Sequence, residues 1–490
     1  MGEACRRRHG PGAMDTDCIS GLPDELLHDI LLRLESVRAA ARTSVLSRRW
    51  RHVWAHLPKL VFDGNDTNSG SAAPPPPPDL FLDSIDGALR AYSAPTLNEL
   101  VISLPDGGPA IPARRVESWL GFASRHLVRS LNLYVPGWLS TRDWETEAEE
   151  LVLPTCDRAQ DISLYIRSRW RLRIRLAGAF TALTNLTIHG GIMEAHLLES
   201  LMCSQCPRLK DLSLRVTLVT ESDISLRSNS LETLRFCVDD IRRCQVEIVA
   251  PKMEKLFVYK FYASKARISA PKLAKLVWKG NPDAFGSRIE FADASRHLRV
   301  LKVTEISSPL MQRFDKVDKL RLDCVNISKE IQAYESFVND TNNLPKCETL
   351  LVYLNRNDHG FAPCMMHLLR KCNSVTNFTV EIYCVESSNK KKPYCPLSCP
   401  CRLPESCKAV DITLDSLEVV AIDLDEESCE VVEFVKQLSQ CNATTLEKVV
   451  INCFNESVNE RFCAKVRAAC RPNIKVEFIV YGRDGRRVCL

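Results

Sequence analysis

One hexamer recurs along this chain: an apolar residue, two variable ones, an apolar residue, one variable and one apolar. It begins at Leu97 (LNELVI), Val128 (VRSLNL), Ala159 (AQDISL), Leu183 (LTNLTI), Leu209 (LKDLSL), Leu231 (LETLRF) and Met253 (MEKLFV). It continues at Leu273 (LAKLVW), Leu298 (LRVLKV), Val317 (VDKLRL), Cys347 (CETLLV), Val375 (VTNFTV), Leu417 (LEVVAI) and Leu446 (LEKVVI). Most steps between these starts lie at or near the roughly 20–29 residues that one strand and its return segment need in a solenoid. Such a unit cannot bury its apolar face alone, so neighbours must stack over one continuous core.

Each hexamer reads as a short strand with its apolar positions inward, which leaves the intervening positions on a concave face. The return segments form the other wall. Ala195–Met202 and Val431–Leu438 carry helical patterns, whereas Val246–Pro251 and Ala266–Pro271 read as strands, so the repeats are irregular and curvature should vary along the array. Cys206, Cys372 and Cys441 each precede a repeat strand, where a small buried hydrophobe fits.

The segment from Asp17 to Leu60 follows different rules. Pro23 suits a first helical position, and Asp24 and Glu25 suit a first turn. Leu22, Leu26, Leu27, Ile30, Leu31 and Leu34 then recur at helical spacing as one apolar stripe. A second helix is predicted from about Arg42 to His56, with Leu46, Trp50, Val53, Trp54 and Leu57 on one side and Pro58 ending it. A unit this small needs something to cover it. After the short strand Leu60–Phe62 the composition turns to Gly, Asn and Ser and then to the prolines Pro74–Pro78, which reads as a linker over 61–95.

The wording of the first segment resembles the F-box of plant F-box proteins, carried by Leu22-Pro23-Asp24-Glu25-Leu26-Leu27, Ile30-Leu31, Arg42 through Arg51, and Val53-Trp54. That resemblance implies docking on the Skp-type adaptor of a cullin-RING ubiquitin ligase. It places Leu22, Pro23, Leu26, Ile30, Leu46 and Trp50 in the adaptor-facing or supporting set. The hexamers resemble leucine-rich repeats, which occur together with the F-box in known families. The last hundred residues, with Cys395 to Cys401, Leu417 to Ile422, Val432 to Leu438 and Leu446 to Ile451, resemble the FBD domain of many plant F-box proteins, with Leu403 near the usual place of an aromatic residue.

Charge and cysteine content limit the remaining possibilities. The net charge is only +4, which gives no general case for nucleic acid or membrane. No apolar run approaches the eighteen or so residues that span a bilayer. No apolar core follows Arg6-Arg7-Arg8, and neither Gly2 nor Cys489 completes a lipidation motif. A soluble protein of the cytoplasm or nucleus is expected, with its 22 cysteines largely reduced. Cys395, Cys399, Cys401 and Cys407 have irregular spacing and no nearby histidine, so no metal or other cofactor is assigned. There is no Gly-rich phosphate loop, His-Glu-x-x-His or Gly-x-Ser-x-Gly, and the expected role is positioning rather than catalysis.

On the concave positions the central repeats place Arg215, Arg235, Lys255, Phe257, Tyr259, Lys275, Lys279, Lys302, Lys319 and Arg321. Solvated strand faces are often rich in Lys and Arg, which is the plain account of that stripe. The functional account is capture of an acidic or phosphorylated substrate segment. The expected fold is α/β: an F-box over 15–60, the linker over 61–95, leucine-rich repeats over 96–390 and an FBD-like region over 391–490. The expected function is a noncatalytic substrate receptor of an SCF-type ubiquitin ligase, with the Skp-type adaptor and an unknown protein substrate as partners. An interaction scaffold that promotes no ubiquitination is the alternative. Nucleic acid as the ligand is disfavoured by the modest charge and the lack of a nucleic-acid module.

Overall fold

The computed structural model describes residues 22–34, 37–45, 48–65, 77–106, 111–136, 149–166, 170–174, 179–219, 223–239, 244–259, 263–280, 288–304, 308–325, 331–355, 361–383, 412–424, 429–454, 459–481 and 487–489. The chain opens on short helices: α1 (Asp24–Leu32), α2 (Val37–Arg42), a 3-10 turn (Thr43–Val45), α3 (Trp50–Val53) and a second 3-10 turn (Trp54–His56). The single helix expected over Arg42–His56 is therefore interrupted. Thr43, Ser44 and Val45 are poor helix formers, and the Thr43 hydroxyl donates to the Ala40 carbonyl at 2.6 Å, giving the backbone an alternative to continuing.

β1 (Lys59–Asp63) follows Pro58 at once, and α4 (Pro78–Ala91) lies within the span expected to be a linker. The prolines explain the correction. Pro78 stands in the first turn, where its missing N–H costs nothing, and Leu82, Ile85 and Leu89 make a buried stripe behind it. Pro74, Pro75 and Pro76 lie outside the described residues.

From there strands and return segments alternate. β2 (Leu97–Ser103) is followed by α5 (Ala113–His126), β3 (Leu127–Val135) by β4 (Glu150–Leu153), and β5 (Asp161–Ile166) by β6 (Arg171–Ile174). β7 (Asn185–Glu194) leads into α6 (Ala195–Ser200), which runs on as a π-helical turn (Leu201–Gln205). In the middle, β8 (Asp211–Val219), β10 (Thr233–Asp239), β12 (Lys255–Tyr259) and β14 (Lys275–Lys279) have strand returns; these are β9 (Ile224–Arg227), β11 (Gln245–Val249), β13 (Lys265–Ser269) and β15 (Arg288–Phe291). Helices then resume: β16 (His297–Val303) and α7 (Ser308–Arg313), β17 (Lys316–Val325) and α8 (Ile331–Asp340), β18 (Lys346–Asn355) and α9 (Phe361–Lys371). β19 (Asn377–Tyr383) and β20 (Val419–Leu424) precede α10 (Cys429–Gln440), β21 (Lys448–Cys453), α11 (Glu460–Ala469), β22 (Lys475–Tyr481) and β23 (Arg487–Cys489).

Every hexamer contributes a strand to one long ladder. β1, β2, β3, β5, β7, β8, β10, β12, β14, β16, β17, β18, β19, β20, β21 and β22 pair in that order, all in parallel. β23 turns back antiparallel and covers the last edge. The ladder passes from β19 to β20 without a break in sheet, so the last hundred residues, expected to be an FBD-like cap, extend the repeat array. A second wall forms where β9, β11, β13 and β15 pair in parallel.

β7 changes partner halfway: its first half sits in the ladder, and its second half also pairs with β6. Gly190 and Gly191 make the switch at φ 95° and 83°. A Cβ on Gly191 would come within 3.0 Å of the Leu172 side chain, so both conformation and space require glycine there.

The apolar hexamer positions fill the space between the walls; Leu212, Leu234, Leu256, Leu276, Leu301, Leu320, Leu350 and Val420 are fully buried. Cys206, Cys372 and Cys441 are buried as well, and burial pushes the Cys206 thiol up to about 12 and the Cys441 thiol up to about 11. Such thiols are unreactive packing groups. No described helix is long and apolar enough to cross a membrane.

The N-terminal helices are joined to the ladder by a network of backbone bonds. The Asn98 N–H donates to the Pro58 carbonyl at 2.8 Å and the Ser93 N–H to the Ala55 carbonyl at 3.0 Å. The Tyr92 hydroxyl sits 3.1 Å from the Leu57 carbonyl oxygen and 2.8 Å from that of Thr96, and burial raises its pKa to about 12.

Candidate functional site: an apolar ridge and a basic groove

Two surfaces stand out from the physics of exposure and charge. The first lies on α1. The six apolar residues expected to form one stripe divide into two. Leu27 and Leu31 turn inward and join Trp50, Val53 and Leu57 in the core. Leu26, Ile30 and Leu34, at positions i, i+4 and i+8, turn outward and are 47%, 41% and 41% exposed. Val45, on the first 3-10 turn, is 87% exposed.

Of the six residues assigned to adaptor docking, Pro23, Leu26 and Ile30 are exposed, and Leu22 is half-buried against the core. Trp50 is 5% exposed, which makes it a support beneath the ridge and not a contact. Leu46 lies outside the described residues. His28 fixes the helix in place by donating from Nε2 to the Val53 carbonyl at 3.1 Å. Leu34 and Val45 were not singled out as contacts from sequence. A helical wheel gives no reason to turn Leu26 out while Leu27 turns in; the packing partner decides it.

The second surface is the outward face of the ladder. Register lines up Ser103, Tyr134, Tyr165, His189, Arg215, Cys237, Tyr259 and Lys279 on successive strands in one row. The adjacent row runs through Ser163, Thr187, Ser213, Arg235, Phe257, Val277, Lys302 and Arg321. From β8 to β17 the outward positions thus hold Arg215, Arg235, Lys255, Lys275, Lys279, Lys302, Lys319 and Arg321 against the acids Asp211, Asp239 and Asp323. The stripe read from the sequence is one continuous surface.

Its cations are not equivalent. Arg321 bonds Asp323 from Nε at 2.7 Å and grips both oxygens of Glu381 at 3.1 and 2.9 Å, while Lys302 reaches Asp323 at 2.7 Å. Asp323 is 7% exposed, so this cluster is a half-sunken ion network whose charges are already balanced. Lys302 and Arg321, expected among the substrate contacts, are committed to it. By contrast Arg235 has only a distant carboxylate, Asp211 at 3.8 Å, and its guanidinium lies 4.8 Å from the centre of the Phe257 ring. Lys275 approaches the same ring at 5.3 Å and Lys279 the Tyr259 ring at 5.6 Å.

An aromatic approach leads to this patch. Tyr165 meets His189 edge-on at 5.1 Å, and His189 Nε2 sits 3.0 Å from the Ser213 hydroxyl. Burial, and then the Arg215 charge, lower the His189 pKa, so the ring is neutral at pH 7. Beyond β17 the face changes sign: Glu381 and Asp423 follow one another in register, and burial, with Glu381 adding, raises the pKa of Asp423 while Asn452 Nδ2 donates to it at 2.6 Å. The aromatic row and the Asp323–Glu381 network were missed in the sequence, although both occupy the same variable hexamer positions as the basic stripe.

No group of three or more metal-ligating side chains comes together among the described residues; Cys395, Cys399, Cys401 and Cys407 lie outside them.

Comparison with known proteins agrees with this geometry. Residues 19–62 match the F-box domain family, and residues 116–281 match the family described as FBD-associated F-box protein At5g56370, LRR repeats. The chain is 28% identical to F-box/LRR-repeat protein 25 of Arabidopsis thaliana over 252 residues, 49% of this chain and 85% of that protein. It is 27% identical to putative FBD-associated F-box protein At5g50270 of the same plant over 283 residues, 49% of this chain and 62% of the relative. F-box/FBD/LRR-repeat protein At2g04230 is 38% identical over 121 residues, 25% of this chain and 26% of the relative. The chain therefore spans less than two thirds of the second and third of these relatives. It carries an F-box followed by a leucine-rich-repeat region, and its relatives are plant proteins of that build.

Proposed function

We propose that this protein is a noncatalytic substrate receptor of an SCF-type ubiquitin ligase, its F-box docking on a Skp-type adaptor and its ladder holding a protein substrate. The observation that carries this reading is the ridge of Leu26 and Ile30 on α1, with Leu34 just past its end, left open to solvent opposite the buried Leu27 and Leu31. A row of aliphatic side chains at helical spacing, rimmed by polar residues, is the form that a helix-mediated interface takes. The relatives that carry the F-box name support the same partner. The ligase brings substrate lysines near a ubiquitin-loaded enzyme, and the gain is one of proximity.

The test is co-purification of the full chain with a plant Skp-type adaptor. Leu26→Glu with Ile30→Glu changes only exposed positions, so the fold survives while a desolvated apolar contact gains two charges. Adaptor recovery should fall tenfold or more with an unchanged melting temperature. An intact chain that retains no adaptor, or a double variant that retains it fully, removes the assignment.

A further inference from the structure

We propose that the groove from β8 to β14 binds an extended anionic peptide segment through Arg215, Arg235, Lys255, Lys275 and Lys279, and that Lys302 and Arg321 take no part. This deepens the receptor reading above and rests on it for the identity of the ligand as a substrate.

Unsatisfied charge locates the site. Among the described residues Arg215, Lys255, Lys275 and Lys279 make no ion pair, and Arg235 has only Asp211 at 3.8 Å. Lys302 and Arg321, on the strands immediately beyond, are neutralised by Asp323 and Glu381. An arriving anion gains full attraction from the first group, whereas from the second it must compete with carboxylates already bonded. The rings of Phe257 and Tyr259 lie under Arg235, Lys275 and Lys279 and hold long side chains that would otherwise pay rotamer entropy on binding.

Spacing gives the ligand its length. Parallel neighbours lie about 4.8 Å apart, so β8 to β14 spans roughly 14 Å, which an extended peptide crosses in four or five residues at about 3.3 Å each. Two or three acidic side chains in such a run match the cations above them. The face of Phe257 is already occupied by cations, so it offers no open platform for base stacking; peptide fits this groove better than single-stranded nucleic acid.

The test uses the full chain with its adaptor at low salt and three labelled probes: an octapeptide rich in Glu, the same peptide with two phosphoserines replacing Glu, and a single-stranded RNA of equal charge. Arg215→Glu, Lys255→Glu and Lys279→Glu combined should weaken both peptides at least tenfold, and the Gln version of the same triple variant should weaken them severalfold. Lys272→Glu, on the exposed turn before β14, should change binding less than twofold. Tighter binding of the phosphopeptide identifies phosphorylated segments as the ligand, and equal binding identifies plain acidic ones. Peptide binding that survives both triple variants, peptides that do not bind at all, or RNA binding in their place overturns the proposal. Adaptor recovery in the same samples separates the two readings: retained adaptor with no peptide sinks the groove alone, and bound peptide with no adaptor sinks the receptor role alone.

Discussion

The middle of the array and its C-terminal part solve the same problem with different walls. From Leu231 to Met253 to Leu273 the hexamers recur after 22 and 20 residues, and the return path is a five-residue strand. From Cys347 to Val375, and from Leu417 to Leu446, the steps are 28 and 29 residues; α9 and α10 supply the return. Strands on both walls repeat at the same 4.8 Å or so, which lets the middle run straight. Helices need about 8–10 Å each, so a helical wall must splay and bend the ladder toward its strand face. The core follows suit. The thin middle buries Ala250, Ala266 and Ala270, while the thick part buries Phe434 between Phe361 at 5.3 Å and Phe378 at 6.2 Å. Within these two stretches repeat length and wall type change together, although the middle also buries Trp278 and Phe236. The charge of the outer face changes across the same boundary, from cations with little or no ion pairing among the described residues to balanced networks.

Substitutions can break that contrast in decreasing order of effect. Phe434→Ala should cost about 3–5 kcal/mol in denaturant unfolding, because a thick wall cannot collapse on the cavity, and Ile248→Val, which removes one methyl group, about 1 kcal/mol. A cost below about 2 kcal/mol for Phe434→Ala would show that the helical wall does collapse. Arg321→Met should lower stability by about 2–3 kcal/mol, since it leaves Asp323 and Glu381 partly buried without their main counter-charge.

Acidification should act on the helical wall first. Burial, with Lys371 and Arg370 adding, lowers the pKa of His367 to about 4, and its Nε2 lies 2.8 Å from the Thr341 hydroxyl. The unfolded chain binds the proton more readily. Stability is therefore complete above about 6.5 and is lost as pH falls toward 4, on the order of 1–2 kcal/mol near pH 5. Hydrogen exchange at pH 5 should show α9 opening before β11 and β13; simultaneous opening would contradict this. Lys255→Ala, the smallest change, should stay within about 0.5 kcal/mol, because that side chain is solvated and has no ion-pair partner among the described residues.

Much of this was written in the variable spacing of the hexamers. All of their strands formed, the two convex strands appeared as β11 and β13, and Val431–Leu438 lies within α10. The period sufficed because each apolar residue has only one wall to face. The linker over 61–95 was misread because a proline run looks the same whether it spaces two units or starts a helix; only the stripe Leu82, Ile85, Leu89 tells them apart. On α1, composition could not say which of two adjacent leucines meets Trp50. On the groove, the sequence named the cations correctly as outward-facing, but Asp323 and Glu381 are 58 residues apart in sequence and are joined through Arg321 across β17 and β19, which no local pattern reveals.

The hydrogen bonds that join Ala55, Leu57 and Pro58 to Ser93, Tyr92 and Asn98 tie the last of the first helices to the start of the ladder. The molecule is consequently a ruler. The basic patch begins five strands after β1, about 24 Å along the ladder, and that interval is set by a count of repeats. In the assembly proposed here, a substrate gripped in the groove would offer only those lysines that lie within a fixed reach, and a chain lengthened by one thin repeat between β2 and β8 would mark a different set.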